Sequence, residues 1–157
     1  MNQGFIDKVF IDLERLEPRF NYLKLIALWS VLEAWIDETT GCDRTADSLN
    51  KVRSEDNLFI FSYADLGRDV GLPIINITKR LDIKIKDIHN GIIRLPLDNG
   101  SDIIAVIYEV RNKIIHGDWQ LDYSPGRSDE KSMVHSCASV LEKWMRWSKV
   151  KGVFKNN

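Results

Sequence analysis

Residues 108–119 read Tyr108-Glu-Val-Arg111-Asn112-Lys-Ile-Ile-His116-Gly117-Asp118-Trp119 and close an apolar segment that begins near Ser101. At about 100° per residue, the apolar side chains of this segment fill one broad arc of a helix. They are Ile103, Ile104, Val106, Ile107, Val110, Ile114 and Ile115. The spacing therefore predicts a helix that packs on a core, and it places one cation, Arg111, inside the apolar arc.

A guanidinium stays charged at any usable pH, so Arg111 facing a core requires a carboxylate or an anionic ligand such as phosphate. Asn112 and His116 share the polar side of the helix with Glu109, whereas Arg111 and His116 are about 140° apart on an ideal helix. Gly117 could end the helix in a left-handed conformation and let His116 turn towards a groove, or a second subunit could bring the two groups together. Both routes stay open at this point.

The motif Arg111-Asn112, three further residues, and His116-Gly117 at the end of an apolar helix resembles the arginine, four to six residues, histidine motif of the HEPN superfamily. Those proteins are small helical domains, usually dimeric, and many are metal-independent ribonucleases of toxin-antitoxin and phage-defence systems. The resemblance implies an all-α bundle of about five to six helices that spans residues 1–157 as a single domain and acts as a homodimer.

The resemblance also implies roles for individual residues. His116 would exchange a proton with the attacking 2′-hydroxyl or the leaving oxygen of RNA, since imidazole titrates near neutral pH. Arg111 would hold the scissile phosphate, and Asn112 would orient the phosphate or the helix end. Glu109 would support them, the RNA could be a tRNA, and a neighbouring antitoxin protein is a possible partner.

The motif also has a structural interpretation. Arg111 could be a member of a core ion pair, and His116 a helix C-terminal residue favoured by the helix dipole. The chain would then be a noncatalytic HEPN-like module that dimerises or binds a ligand or partner. A net charge of −1 favours this alternative, because it argues against a protein that coats nucleic acid nonspecifically.

The charge is unevenly spread along the chain. Residues 1–60 carry 7 basic and 11 acidic side chains, whereas residues 61–157 carry 15 basic and 12 acidic ones. An anionic partner such as RNA is therefore expected on the second half. The candidate contacts are Lys113 and two basic clusters, one with Lys79, Arg80, Lys84 and Lys86 and one with Lys143, Arg146, Lys149 and Lys151.

Length and residue types exclude several other classes. A chain of 157 residues can bury a core without metal or disulfide support, and its two cysteines, Cys42 and Cys137, make no disulfide framework. His135 beside Cys137 is only a partial ligand set, so we expect no metal and no cofactor. No apolar segment approaches the length of a membrane span, which predicts a cytoplasmic protein.

Helical spacing predicts three further helices around the motif helix. The first covers residues 3–16 with Phe5, Val9, Phe10, Leu13 and Leu16 inward, the second runs from Pro18 to about Glu38, and the last from Asp129 to Lys149. In the second helix the inward stripe is Tyr22, Leu25, Ile26, Trp29, Leu32 and Ile36. Glu33 sits in that stripe and needs a cation. We predict that Glu33 orients Arg111, with Asp37 and Glu109 as fallback partners.

The middle of the chain is harder to interpret. Residues 41–57 are polar and predict a loop, and residues 62–81 resemble a helix-turn-helix with Gly71 at its turn. In a DNA-binding regulator, Asn76, Lys79 or Arg80 would contact bases. Ile74 and Ile75, however, occupy positions where a DNA-recognition helix usually has polar side chains. From Ile74 a helix is expected to continue to about His89, followed by a connection over residues 92–99.

Overall fold

A computed structural model describes residues 3–17, 20–41, 47, 76–78, 80–81, 83, 85–86, 93–94, 100–119 and 127–150. Within them lie four helices: α1 (Gln3–Glu14), α2 (Asn21–Thr40), α3 (Gly100–Ile115) and α4 (Ser128–Val150). Two short strands, β1 (Ile85–Lys86) and β2 (Ile93–Arg94), pair antiparallel with Ile85 opposite Arg94. The described residues are predominantly helical, which confirms the all-α class.

Helix α2 lies at the centre of the described bundle. Its buried side chains recur at helical spacing and form one continuous face: Leu25, Leu28, Trp29, Val31, Leu32, Trp35, Ile36 and Thr40. The helix ends at Gly41, whose φ of 65° is left-handed and whose backbone N–H donates to the Asp37 carbonyl oxygen. Glycine adopts this conformation without the steric cost that a Cβ atom would impose.

Helix α4 packs along α2 and supplies much of the core. The apolar stripe of this helix is buried in full: Met133, Val134, Cys137, Val140, Leu141, Trp144 and Met145. Trp144 meets Trp35 of α2 edge to face, with ring centroids 5.3 Å apart. Burial of this much aromatic and aliphatic surface is the main source of stability at the α2–α4 interface.

Ionic contacts join α4 to both α1 and α2. Glu142 on α4 forms a salt bridge with Lys24 of α2 and accepts hydrogen bonds from Arg146 one turn along its own helix. The Arg146 guanidinium also lies 3.5 Å from the Glu14 carboxylate and 4.7 Å from the centre of the Phe10 ring, both on α1. Three helices therefore meet at one acidic residue and one arginine.

Two details of the predicted core are wrong. On α1, Phe5 was expected to face inward but is 52% exposed, and Ile6 is fully buried in its place. On α3, Ile115 is 49% exposed, although the rest of the predicted arc is buried or half-buried. Phe5 and Ile6 are about 100° apart around the helix, so the buried face of α1 is rotated by one residue from the predicted one. Ile115 is the last residue of α3.

The helix predicted from Ile74 to about His89 is also wrong. Residues 76–78 and 80 are helical, the chain turns at Leu81, and β1 begins at Ile85. Ile83 and Ile85 alternate with lysines, which suits a strand as well as a helix face, and β-branched residues favour the strand. Asn90-Gly91, between the two strands in sequence, is a common hairpin signal.

Several predictions fall outside the described residues. They are most of the loop over residues 41–57, the helix-turn-helix over residues 62–75, and the connection over residues 92–99 apart from residues 93–94. Among the helices that the structure describes, none has the length and apolar character needed to cross a membrane.

Candidate functional site

The candidate site lies where the C-terminal half of α3 meets α2. One layer of this interface is aromatic, with the rings of Trp29 and Tyr108 5.6 Å apart. The next turn of each helix brings Glu33 and Arg111 together, with 3.9 Å between Nη2 of the arginine and Oε2 of the glutamate. Both side chains are about one quarter exposed, 25% for Arg111 and 24% for Glu33. The site is therefore at the rim of the core and open to solvent.

The guanidinium of Arg111 is held in place but not saturated. Its Nη1 donates a hydrogen bond of 2.9 Å to Oδ1 of Asn112, while the contact with Glu33 is too long to be a hydrogen bond. Its Nε is buried and has no hydrogen-bond partner within the part of the chain that the structure describes. An arginine has five N–H donors, so Arg111 retains the capacity to bind an anion.

Asn112 connects the two ends of the motif. Its side-chain oxygen accepts from Arg111, and its backbone oxygen accepts the N–H of His116 at 2.9 Å. That second bond is the last turn of α3. A displacement of Asn112 would therefore move both the arginine and the start of the histidine turn.

His116 is exposed at the end of α3. Gly117 follows with a φ of 79° and donates its N–H to the Ile114 carbonyl oxygen, and the N–H of Trp119 reaches the Lys113 carbonyl oxygen. These bonds satisfy the carbonyl groups that a helix end leaves open. Within the described residues, the His116 ring and the Arg111 guanidinium share no hydrogen bond.

The turn after His116 is anchored by a residue that the sequence analysis missed. Arg127, at the start of α4, donates from Nη1 to the Asp118 carbonyl oxygen at 3.2 Å and lies 3.9 Å from Glu130. Trp119 packs its partly buried ring against the core. The turn that follows His116 is thus held by the hydrogen bond from Arg127 and by the packing of Trp119 on the core.

Glu109 and Lys113 complete the polar side of α3. Burial raises the pKa of the Glu109 carboxyl, and the charge of Lys113 one turn away lowers it by less, so the net pKa is raised. Lys113 is half-buried. The strip formed by Glu109, Asn112, Lys113 and His116 therefore carries one carboxyl group that resists ionisation and one cation.

No protein-family model matches this chain, and no curated protein or solved structure does either.

The structure describes some of the residues in the middle of the chain that are proposed to bind nucleic acid. Arg80 makes two hydrogen bonds to Asp129, of 2.9 and 3.1 Å, which lower the pKa of that carboxyl. Asn76 is exposed, Ile77 and Thr78 are buried, and Lys79 lies outside the described residues. A guanidinium that is already bound to two carboxylate oxygens is poorly placed to read DNA bases.

The two possible metal ligands noted in the sequence, His135 and Cys137, lie in different environments. His135 is exposed, and its Nδ1 lies 3.0 Å from Nδ2 of Asn21 on α2, whereas Cys137 is completely buried and burial raises the pKa of its thiol. In the described residues, no three His, Cys, Asp or Glu side chains are grouped so that they could hold a metal ion.

Proposed function

We propose that this chain is a metal-independent endoribonuclease of the HEPN type, belonging to a toxin-antitoxin or phage-defence system and working as a homodimer. The observation that carries the proposal is the state of Arg111. At 25% exposure its side chain is more buried than those of Arg80 at 55%, Arg146 at 52% and Arg127 at 36%. Its contact with the Glu33 carboxylate, at 3.9 Å, is longer than a hydrogen bond, and its buried Nε has no hydrogen-bond partner among the described residues.

Arg111 is a half-buried cation that makes fewer hydrogen bonds to the described residues than its donors allow. Such a cation favours binding of an anionic ligand. Partial burial strengthens the attraction between the guanidinium and a phosphate, because fewer water molecules screen it. Asn112 and Glu33 hold the arginine in one orientation, so little side-chain entropy is lost when the phosphate binds. Arg111 would stabilise the negative charge that develops on the phosphate oxygens.

The exposed His116 is suited to the proton transfer. The 2′-hydroxyl oxygen of the RNA forms a bond to phosphorus, the bond to the 5′-oxygen breaks, and the products are a 2′,3′-cyclic phosphate and a 5′-hydroxyl. His116 would take the proton from the attacking hydroxyl or give one to the leaving oxygen. Since no hydrogen bond links His116 to Arg111 within the described residues, we assign their meeting on one phosphate to the turning of His116 or to a second subunit.

The first prediction tests the reaction directly. Total RNA and purified tRNA are incubated with the pure protein in excess chelator, beside His116→Ala and Arg111→Ala. Each substitution is expected to lower the cleavage rate by at least about 100-fold, the usual cost of losing a general acid–base group or an oxyanion partner. The new ends should carry a cyclic phosphate, detected by their resistance to 3′-end ligation.

The control is His135→Ala, which removes an exposed histidine on α4 and should cut as fast as the parent. Circular dichroism of His116→Ala is expected to match the parent, because the side chain is exposed. The assignment is wrong if His116→Ala cuts RNA at the parent rate in chelator.

A noncatalytic HEPN-like module that dimerises or binds a ligand is the second candidate. The net charge of −1 favours it, as does the carboxylate of Glu33 at 3.9 Å from Arg111, which competes with any anion. This candidate predicts that the parent protein leaves total RNA intact, while still binding a nucleotide or a partner protein such as an antitoxin. A DNA-binding regulator is disfavoured by the engagement of Arg80 with Asp129.

A further inference from the structure

Arg127 occupies a position where an arginine does not help its own helix. It immediately precedes α4, and its backbone oxygen accepts the N–H of Lys131 at 3.0 Å, so it is the N-cap residue of that helix. An N-cap side chain usually supplies an oxygen to the open N–H groups of the first turn, which a guanidinium cannot do. A cation is also unfavourable beside the positive end of the helix dipole. The stability of α4 therefore does not explain why this residue is an arginine.

The Arg127 side chain instead reaches the turn that follows His116. Its Nη1 donates to the Asp118 carbonyl oxygen at 3.2 Å, whereas its contact with Glu130, at 3.9 Å, is longer than a hydrogen bond. Asp118 is two residues after His116, so this bond ties the histidine turn to the start of α4. A charged donor makes a stronger hydrogen bond than a neutral one, which suits it to hold a backbone carbonyl group.

The other printed bonds of this turn are made within the end of α3. The N–H groups of His116, Gly117 and Trp119 donate to carbonyl oxygens of residues 112–114. These bonds fix the shape of the turn, but they move together with the helix end, which is where helices fray. Arg127 is held by a different helix. Its bond to the turn therefore fixes the place of the turn relative to α4, and the packing of the Trp119 ring on the core adds to this.

We propose that Arg127 is a positioning residue for His116 and acts through the Asp118 carbonyl group. The proposal rests on the proposed function, because His116 needs a fixed position only if it exchanges a proton with RNA. A shift of about 1 Å in a catalytic group can slow a reaction about 100-fold. A contact that holds the turn can thus control the rate of cleavage without touching the RNA.

The variant Arg127→Ser separates the hold on the turn from the stability of α4. Serine loses the bond to Asp118 but supplies the oxygen that an N-cap favours, so the Tm should equal that of the parent or exceed it. Hydrogen exchange of the Trp119 amide, followed by NMR, should nevertheless become at least about threefold faster, the effect of losing one hydrogen bond. Arg15→Ser, at an exposed position just after α1, is the matched control and should change neither quantity. An unchanged exchange rate at Trp119 in Arg127→Ser would overturn the proposal.

Cleavage of purified tRNA tests the consequence for His116. Arg127→Ser should lower kcat at least about tenfold while KM stays within about twofold, because a positioning residue does not bind the substrate. Arg127→Lys keeps a charged donor near Asp118 and should recover most of the lost rate. A rise in KM with kcat unchanged would make Arg127 a contact to an RNA phosphate and would refute the positioning role.

The two measurements separate this inference from the proposed function. Faster exchange at Trp119 in Arg127→Ser, with a parent that leaves RNA intact, supports the hold on the turn and rejects the ribonuclease together with the role in proton transfer. Cleavage by Arg127→Ser with the kcat of the parent rejects the positioning role and leaves the ribonuclease supported.

Discussion

At the scale of single residues, Asn112 makes hydrogen bonds to both ends of the motif. It accepts from Arg111 through its side chain and from His116 through its backbone. An aspartate at this position would add a charge beside the guanidinium and compete with an anionic ligand, whereas the neutral amide orients Arg111 and leaves its charge available. The residue type therefore matters for the proposed chemistry as much as its position does.

Glu109 gives a pH-dependent prediction at this scale. Its folded pKa is raised above the reference value of 4.5 mainly by burial, so the folded state binds the proton more tightly than the unfolded state. The stability that this proton contributes is present below pH 4.5 and is lost as the pH rises through the folded pKa. Glu109→Gln, which carries no charge at any pH, should therefore raise the Tm at pH 7, and the difference should shrink towards pH 4.

Thermal unfolding of both proteins between pH 4 and pH 7.5 measures this difference. Asp12→Asn, which neutralises an exposed carboxylate on α1, is the control and should give a much flatter difference. If Glu109→Gln is less stable than the parent at pH 7, attraction to Lys113 outweighs the cost of burial and the assignment of the cause is wrong.

The four long helices could be predicted from apolar spacing because each buries one face for most of its length. The bounds agree within three residues; for α4 the prediction was Asp129 to Lys149 and the structure has Ser128–Val150. The strands could not be predicted, since Ile83 and Ile85 fit an alternating pattern and a helical one equally well. Short segments of this kind take their structure from tertiary contacts, which sequence spacing does not report.

The candidate site could also be predicted in part from the sequence. The apolar arc of α3 placed Arg111 at the rim of the core, and the stripe of α2 placed Glu33 across from it; in the structure they are 3.9 Å apart. Arg127 was not predictable, because its partner is the backbone carbonyl of Asp118. A contact to a backbone group leaves no complementary residue in the sequence.

The end of α3 gives a prediction at the scale of the element. Gly117 has a φ of 79°, and a Cβ atom built there meets nothing within 4 Å. Gly117→Ala should therefore cost about 1–2 kcal/mol of folding stability through backbone strain alone, and Gly117→Asn should cost less because asparagine tolerates the left-handed region better. Urea unfolding measures both.

Gly4→Ala on α1 is the matched control for this substitution. Gly4 is exposed and helical, so alanine there should leave stability unchanged or raise it. Equal effects at the two glycines would contradict the role of the left-handed turn. Under the proposed function, Gly117→Ala should also slow RNA cleavage, because His116 precedes the strained residue.

At the scale of the whole molecule, the apolar core and an ionic junction hold the described helices together. The core is continuous from Phe10 on α1 through Trp35 on α2 to Trp144 on α4. Over it lies the junction of Lys24, Glu142, Arg146 and Glu14, which covers one edge of the same three helices. This junction is on α1, α2 and α4, whereas the candidate site is on α2 and α3, so the two can be perturbed separately.

The junction yields the last prediction. Burial raises the pKa of Glu142, but the hydrogen bonds from Lys24 and Arg146 outweigh it, and the net pKa is lowered below its reference value of 4.5. The stability contributed by this carboxylate is therefore present above pH 4.5 and is lost as the pH falls through the folded pKa. Glu142→Gln should cost about 1 kcal/mol at pH 7, and the difference from the parent should disappear in acid.

The opposite pH trends of Glu142 and Glu109 make the measurement decisive. Both are half-buried carboxylates that face lysines, so a general effect of removing a negative charge would move both variants the same way. Glu142→Gln should lower the Tm at pH 7 and Glu109→Gln should raise it. Because the described ion pairs of Glu142 are with Lys24 on α2 and Arg146 on α4, its substitution should leave the rate of RNA cleavage by the folded protein within about twofold of the parent rate. A larger loss would couple the junction to the site through α2, the helix that they share.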